Sequence, residues 1–70
     1  MIYPRDINEA PIGTRCHVGG DHPFVFDLIS KENRGRYHLG IEMRMVDGTI
    51  MRMKVKKTFV VAYSSDKGVD

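Results

Sequence analysis

The sequence has no tryptophan, a single cysteine and no long hydrophobic run. Because the one cysteine, Cys16, cannot form an internal disulfide, we expect a reducing compartment, the cytoplasm. The longest apolar run, residues 59–63, is far shorter than the ~20 residues that a membrane-spanning helix needs. The first residues also lack the apolar stretch of a signal peptide. We therefore predict a cytoplasmic protein that makes no contact with a membrane.

The chain is 70 residues long, which leaves room for one domain and is short for an enzyme. Single hydrophobic cores rarely divide below roughly 100 residues. The serines have no nucleophile-elbow pattern around them. Cys16 and His17 are adjacent, so on a strand they would point to opposite faces and form no nucleophile–base pair. Nothing resembles a cofactor-binding unit, and we predict a protein that is not an enzyme and binds no cofactor.

Ligand-type side chains are concentrated in one short segment, which raises the question of a metal site. Cys16, His17, Asp21 and His22 lie within seven residues, and His38 follows later. Structural zinc sites usually present paired cysteines or histidines at short spacing. Here the two nearby histidines fit that spacing only loosely, and there is no second cysteine. We therefore predict no metal site.

Apolar and polar residues alternate with a period of two, which predicts short strands, and no window has the spacing of a helix. The predicted strands are residues 14–18, 24–29, 37–45, 51–56 and 59–63. We predict three segments: an N-terminal arm or turn at 1–11, one β-barrel domain at 12–63 and a flexible tail at 64–70. Within the first segment, residues 6–10 fit one helical turn that Pro11 ends. Whether Ile2 and Tyr3 add a strand stays open.

The two central hairpins are predicted by keeping the apolar side chains on one face. Between the third and fourth strands, a three-residue loop of Val46, Asp47 and Gly48 does this, with Gly48 in the left-handed conformation. The resulting pairs are Met43–Met51, Ile41–Met53, Leu39–Val55 and Glu42–Arg52. Before it, a four-residue loop at 31–34 predicts the pairs Leu28–Tyr37, Phe26–Leu39, Phe24–Ile41 and Asp27–His38.

Short strands joined by tight loops tend to curl, because curling removes exposed edges and fills an interior. This layout resembles the SH3-like and Sm-like small barrels in architecture, without a family motif. We predict an all-β, mainly antiparallel fold, either such a barrel or a strongly curled meander of four or five short strands. The predicted register places four methionines inside, and a protein-binding surface is the alternative: Met43, Met45, Met51 and Met53.

Basic residues are concentrated in the second half of the chain. Residues 34–57 hold seven basic and two acidic side chains, so a basic sheet face could follow a phosphate backbone. We predict that this face contacts RNA or DNA through Arg34, Arg36, Arg44, Arg52, Lys54, Lys56 and Lys57. Single-strand binders normally add exposed aromatic residues, but the predicted register places Phe24, Phe26 and Tyr37 inside.

Three alternatives to nucleic-acid binding remain open. The same basic residues would suit an acidic protein surface, as in an adaptor or in a small inhibitor of the kind that phages use to capture a host protein. A homo-oligomer would form through residues 59–63, which are apolar on both faces. The third alternative is a solvated face that keeps the sheet soluble.

Overall fold

Six antiparallel strands and one turn of 3-10 helix make up the computed structural model, which describes residues 2–64. The 3-10 helix is Ile7–Glu9. The strands are β1 (Ile2–Asp6), β2 (Arg15–Val18), β3 (Phe24–Asn33), β4 (His38–Met45), β5 (Ile50–Lys56) and β6 (Val60–Ser64). Their order in the sheet is β1-β6-β2-β3-β4-β5. Apart from Ser64, the tail predicted at 64–70 lies outside the described residues.

The sheet curls but is not closed into a barrel, so the expectation of a closed barrel is not met. Within residues 2–64 no ladder joins the two edge strands, β1 and β5. The reason lies in β6, which pairs with β1 on one side and with β2 on the other. β6 therefore has a neighbour on each side, although it pairs with β2 only at Ala62, and within the described residues β5 pairs with β4 alone. The strand count is six instead of four or five, and the additional strand is β1, which includes Ile2 and Tyr3.

The 3-10 helix covers one end of the core. Its Ile7 is fully buried, and the chain leaves the helix through the equally buried Ala10, just before Pro11. The N–H of Ile7 donates to the carbonyl of Phe59 at 2.7 Å, and the ammonium of Lys31 donates to the carbonyl of Asn8 at 3.0 Å. The helical turn predicted at residues 6–10 is thus confirmed. Between the strands the core contains Cys16, Phe26, Leu28, Leu39, Ile41, Met43, Val55, Val61 and Tyr63.

The β4–β5 hairpin has the predicted register. The N–H of Met45 donates to the carbonyl of Thr49 at 2.8 Å, which closes the three-residue loop. Gly48 has a φ of +90°, the left-handed conformation that glycine adopts without steric cost. All four predicted pairs are present: Leu39–Val55, Ile41–Met53, Glu42–Arg52 and Met43–Met51.

The register predicted for β3 and β4 is wrong. β3 continues through the polar residues to Asn33, with a β-bulge between Leu28 and Ser30, and the turn lies at 34–37. The observed pairs are therefore Phe26–Met45, Asp27–Arg44 and Leu28–Met43. Tyr37 is consequently outside the core and 68% exposed.

The methionines divide between interior and surface, which corrects the prediction that all four lie inside. Met43 is buried on β4 and Met45 is half-buried at the end of that strand. Met51 and Met53 are 48% and 41% exposed. Both residues belong to β5, which within residues 2–64 is an edge strand with a neighbour on one side only.

Candidate nucleic-acid interface

The side of β3, β4 and β5 that points away from the core is called the outer face here. Its members follow from the ladder pairings and the alternation of buried residues. They are Asp27, Ser30, Glu32, His38, Gly40, Glu42, Arg44, Ile50, Arg52, Lys54 and Lys56. Four of the seven basic residues predicted for binding therefore lie on one surface: Arg44, Arg52, Lys54 and Lys56. Because side chains alternate along a strand, the apolar residues between them point to the core side, and Ile50 is an apolar residue of the outer face.

Arg52, Lys54 and Lys56 form a row of cations along β5. Alternate residues of a strand are about 6.8 Å apart, since each residue advances the strand by roughly 3.4 Å. All three side chains are exposed. Within residues 2–64, Lys54 and Lys56 have no carboxylate within ion-pair distance. These two ammonium groups are therefore available to an anion from outside.

Glu42 restrains the third cation of this row. Its carboxylate accepts a hydrogen bond from the Ser30 hydroxyl at 2.7 Å and another from Nε of Arg52 at 2.8 Å. These two hydrogen bonds, the one from Ser30 first, lower the pKa of Glu42 below its usual value. Glu42 is thus charged at neutral pH, and it orients the guanidinium of Arg52 while partly neutralising it.

Arg34 reaches the outer face because Gly40 has no side chain. A Cβ at Gly40 would lie 3.0 Å from Nε of Arg34, so the arginine side chain lies directly over the glycine. Its guanidinium nitrogen Nη2 is 3.7 Å from a carboxylate oxygen of Glu32. The result is a groove on the outer face, lined by Ser30, Glu32, Arg34, Gly40, Ile41, Glu42, Arg52, Met53 and Lys54.

A third ion pair, between Arg15 and Asp27, continues the surface toward β2. Nε of Arg15 donates to one carboxylate oxygen of Asp27 at 2.9 Å, and Arg44 is the residue opposite Asp27 on β4. The hydrogen bond and the charge of Asp27 raise the pKa of Arg15. Arg15 was not among the predicted site residues. Its pairing with Asp27 depends on the β2–β3 register, which the sequence analysis did not derive.

The remaining predicted residues lie at the end of the sheet. Arg36 is exposed in the β3–β4 turn, and Lys57 is half-buried in the connection from β5 to β6. The N–H of Lys57 donates to the carbonyl of Tyr37 at 2.9 Å, which joins the turn to the connection. Tyr37, predicted inside, is therefore exposed among basic residues. The sequence analysis did not predict this exposure, because its β3–β4 register was wrong.

Cys16 and His17 have the opposed orientation expected of strand neighbours. Cys16 pairs with Phe26 on the core side, and His17 pairs with Val25. Burial raises the pKa of the Cys16 thiol to about 11, so the thiol is protonated at neutral pH and unreactive. In the described part of the chain, no three His, Cys, Asp or Glu side chains are grouped as a metal site would require.

Comparison with known proteins identifies no relative of this chain. No family model matches it, and neither does any curated protein or solved structure. Across residues 2–64, no helix has the length and apolar character to cross a membrane.

Proposed function

We propose that this protein is a small non-enzymatic binding module whose outer face contacts the phosphate backbone of nucleic acid. The observation that carries the proposal is the row of three cations on β5. Two of them, Lys54 and Lys56, are exposed and have no ion pair within the described residues. A regular row of cations on a stiff strand suits a polymer with regularly spaced charges, and release of its counterions drives such binding.

The carboxylates on this face are compatible with the proposal. Glu42 engages Nε of Arg52, which leaves the two terminal guanidinium nitrogens of Arg52 to donate to a phosphate. The ion pair fixes the direction of the arginine and so reduces the entropy lost on binding. The face consequently combines two mobile ammonium groups with one oriented guanidinium.

We also propose that the curled sheet is a variant of the SH3-like small barrel. What supports this is the chain path: β2 to β5 form a meander, and a short connection then returns the chain as β6 to pair with β2. The missing ladder between β1 and β5 distinguishes it from a closed barrel. A cytoplasmic location is proposed from the buried free thiol of Cys16.

The test of the main proposal replaces Arg52, Lys54 and Lys56 by glutamine together. All three side chains are exposed, so the fold should survive, which circular dichroism checks. We expect the variant to lose most of its affinity for labelled single-stranded RNA and DNA in fluorescence anisotropy. The logarithmic dependence of affinity on salt should become shallower by about 2, since each lost phosphate contact removes about 0.7.

A matched control restores the net charge elsewhere. Asp21→Lys and His22→Lys, added to the triple variant, bring the formal charge back to that of the wild type at two exposed positions of the β2–β3 loop, which is not part of the outer face. If the control regains wild-type affinity, overall charge and not the outer face controls binding, and the proposal fails. Unchanged binding by the triple variant itself would also refute the proposal, because neither the row nor the overall charge would then control binding.

A second candidate function, an adaptor or inhibitor that docks on an acidic partner protein, is favoured by the β5 edge. Among the described residues β5 has no neighbouring strand on one side, and Ile50, Met51 and Met53 are exposed along it. An extended segment of a partner would add to this edge as a further strand. Stoichiometric recovery of one protein at moderate salt, insensitive to nuclease and lost in a Met53→Lys variant, would favour this candidate.

A homo-oligomer through residues 59–63 stays a prediction. β6 pairs with β1 along its length and with β2 at Ala62, and Val61 and Tyr63 are buried. Val60 is exposed and available to a second copy. Light scattering at several concentrations decides whether a second copy binds.

A further inference from the structure

Gly40 interrupts the layer of side chains on the outer face. It pairs with Glu32 on β3 and with Lys54 on β5, so a side chain is missing between two charged residues. The backbone of Gly40 has no positive φ, and a glycine inside a strand weakens it. The conformation of the strand therefore does not explain why glycine is present here.

The space left by Gly40 contains the side chain of Arg34. A Cβ at Gly40 would lie 3.0 Å from Nε, 3.2 Å from Cγ and 3.5 Å from Cζ of Arg34. The N–H of Arg34 donates to the carbonyl of His38 at 3.0 Å, which fixes the backbone from which this side chain starts. Its Nη2 is 3.7 Å from a carboxylate oxygen of Glu32, longer than a hydrogen bond. The guanidinium thus keeps donors for a further acceptor.

The groove over Gly40 brings Arg34 together with two cations of the β5 row. Lys54 is directly opposite Gly40, and such residues of an antiparallel pair have Cα atoms about 4.5–5.5 Å apart. Lys54 has no ion pair within residues 2–64. The charged residues lining the groove are three cations and two carboxylates, with a formal sum of +1: Arg34, Arg52, Lys54, Glu32 and Glu42. One phosphodiester group neutralises this charge.

We propose that the groove over Gly40 binds one phosphodiester of the nucleic-acid backbone, between the guanidinium of Arg34 and the ammonium of Lys54. This inference rests on the proposed function of the outer face. The planar guanidinium donates two parallel hydrogen bonds to a phosphate, and the ammonium adds a point charge. The role of Gly40 is steric, because any larger residue would displace Arg34 from this position.

The experiment compares a steric variant with a charge variant. Gly40→Val keeps every charge of the chain and fills the space that Arg34 occupies, and valine suits a strand, so the fold should survive, which circular dichroism checks. Arg34→Gln removes the cation. Its matched control is His22→Asp, which lowers the formal charge equally at an exposed position of the β2–β3 loop. Fluorescence anisotropy of labelled single-stranded RNA and DNA is measured at several salt concentrations.

We expect Gly40→Val and Arg34→Gln each to weaken binding by about 2- to 5-fold, the range of one exposed ion pair. Each should also make the logarithmic salt dependence shallower by about 0.7, since one phosphate contact is lost. The double variant should bind no more weakly than Arg34→Gln alone, because both substitutions remove the same contact. His22→Asp should leave the salt dependence unchanged.

Wild-type affinity and salt dependence in a folded Gly40→Val variant overturn the inference, as do additive losses in the double variant. If Gly40→Val does not fold, Arg34→Gln decides against His22→Asp, and equal losses in these two overturn the inference. In all these cases the row on β5 stands as a phosphate site if its triple glutamine variant still loses binding. Absence of wild-type binding to every probe at low salt overturns both proposals.

Discussion

Glu42 orients the guanidinium of Arg52 and also partly neutralises its charge, and replacement of Glu42 by glutamine separates these two roles. The carboxylate holds Nε of Arg52 at 2.8 Å and the Ser30 hydroxyl at 2.7 Å. Glutamine keeps the size of the side chain but offers one acceptor oxygen and no charge. The guanidinium of Arg52, with 82% of its side chain exposed, is then fully available to a phosphate.

The expected result is tighter binding of single-stranded nucleic acid by Glu42→Gln. Glu42 neutralises Arg52 only in part, so removing its charge steepens the logarithmic salt dependence by at most about 0.7, the value for one full phosphate contact. Over a fourfold increase in salt, the advantage of the variant over wild type should therefore shrink by up to about 2.6-fold. Anisotropy titrations at four salt concentrations, with both proteins measured against the same labelled oligonucleotide, resolve a change of this size.

The matched control is Asp21→Asn, which changes the net charge equally but in the β2–β3 loop, at the opposite end of the sheet from Tyr37. If Glu42→Gln binds no better than this control, or if its salt dependence is unchanged, Arg52 makes no phosphate contact and the reasoning is refuted. Such a result would leave Lys54 and Lys56 as the only supported contacts on β5.

Acidification gives an independent check on the same ion pair. Because the pKa of Glu42 is lowered in the folded protein, the stabilisation from its contacts is complete above the ordinary glutamate pKa of about 4.3. It is lost as the pH falls from there through the lowered value. The difference in unfolding free energy between wild type and Glu42→Gln should therefore disappear below that range, and a difference that grows there would contradict the assignment.

Two further predictions concern the fold. Gly48→Ala forces an L-residue to a φ of +90° and should lower the free energy of unfolding in urea by about 1–2 kcal/mol. Gly19→Ala, where φ is not positive and the space is open, should lower it clearly less. Equal losses of stability would mean that the turn adapts. The thiol of Cys16 is buried and its pKa is raised to about 11. It should therefore resist iodoacetamide in the native protein and react once urea unfolds the chain. Rapid reaction of the native protein would show that the strand opens locally.

The β4–β5 hairpin could be predicted in full because two signals agree there. The alternation is unbroken, and Asp47-Gly48 restricts the loop to a type whose last residue has positive φ. A different loop length would have turned apolar side chains to the basic face. Where the hydrophobic pattern and the turn chemistry point to the same register, the sequence suffices.

The β3–β4 hairpin could not be predicted because its strand continues past its apolar residues. Ser30 lies on the solvated outer face, and Lys31 reaches the 3-10 helix from the inner side. Polar residues thus occupy both faces, as they would in a loop, and the bulge after Leu28 shifts the alternation. The predicted register therefore placed Tyr37 in the core, although this residue is exposed near basic residues.

The strand order has a consequence for how the protein forms. β6 lies between β1 and β2, so the last of the six described strands supplies all the partners of β1 and one further partner, Ala62, to β2. Tyr3 pairs with Tyr63, a long-range contact whose loop-closure entropy is lost before the pairing itself can stabilise the sheet. The meander of β2 to β5 has short-range contacts and can assemble earlier. During synthesis, β1 therefore stays unpaired until β6 has left the ribosome, and the sheet is completed only then.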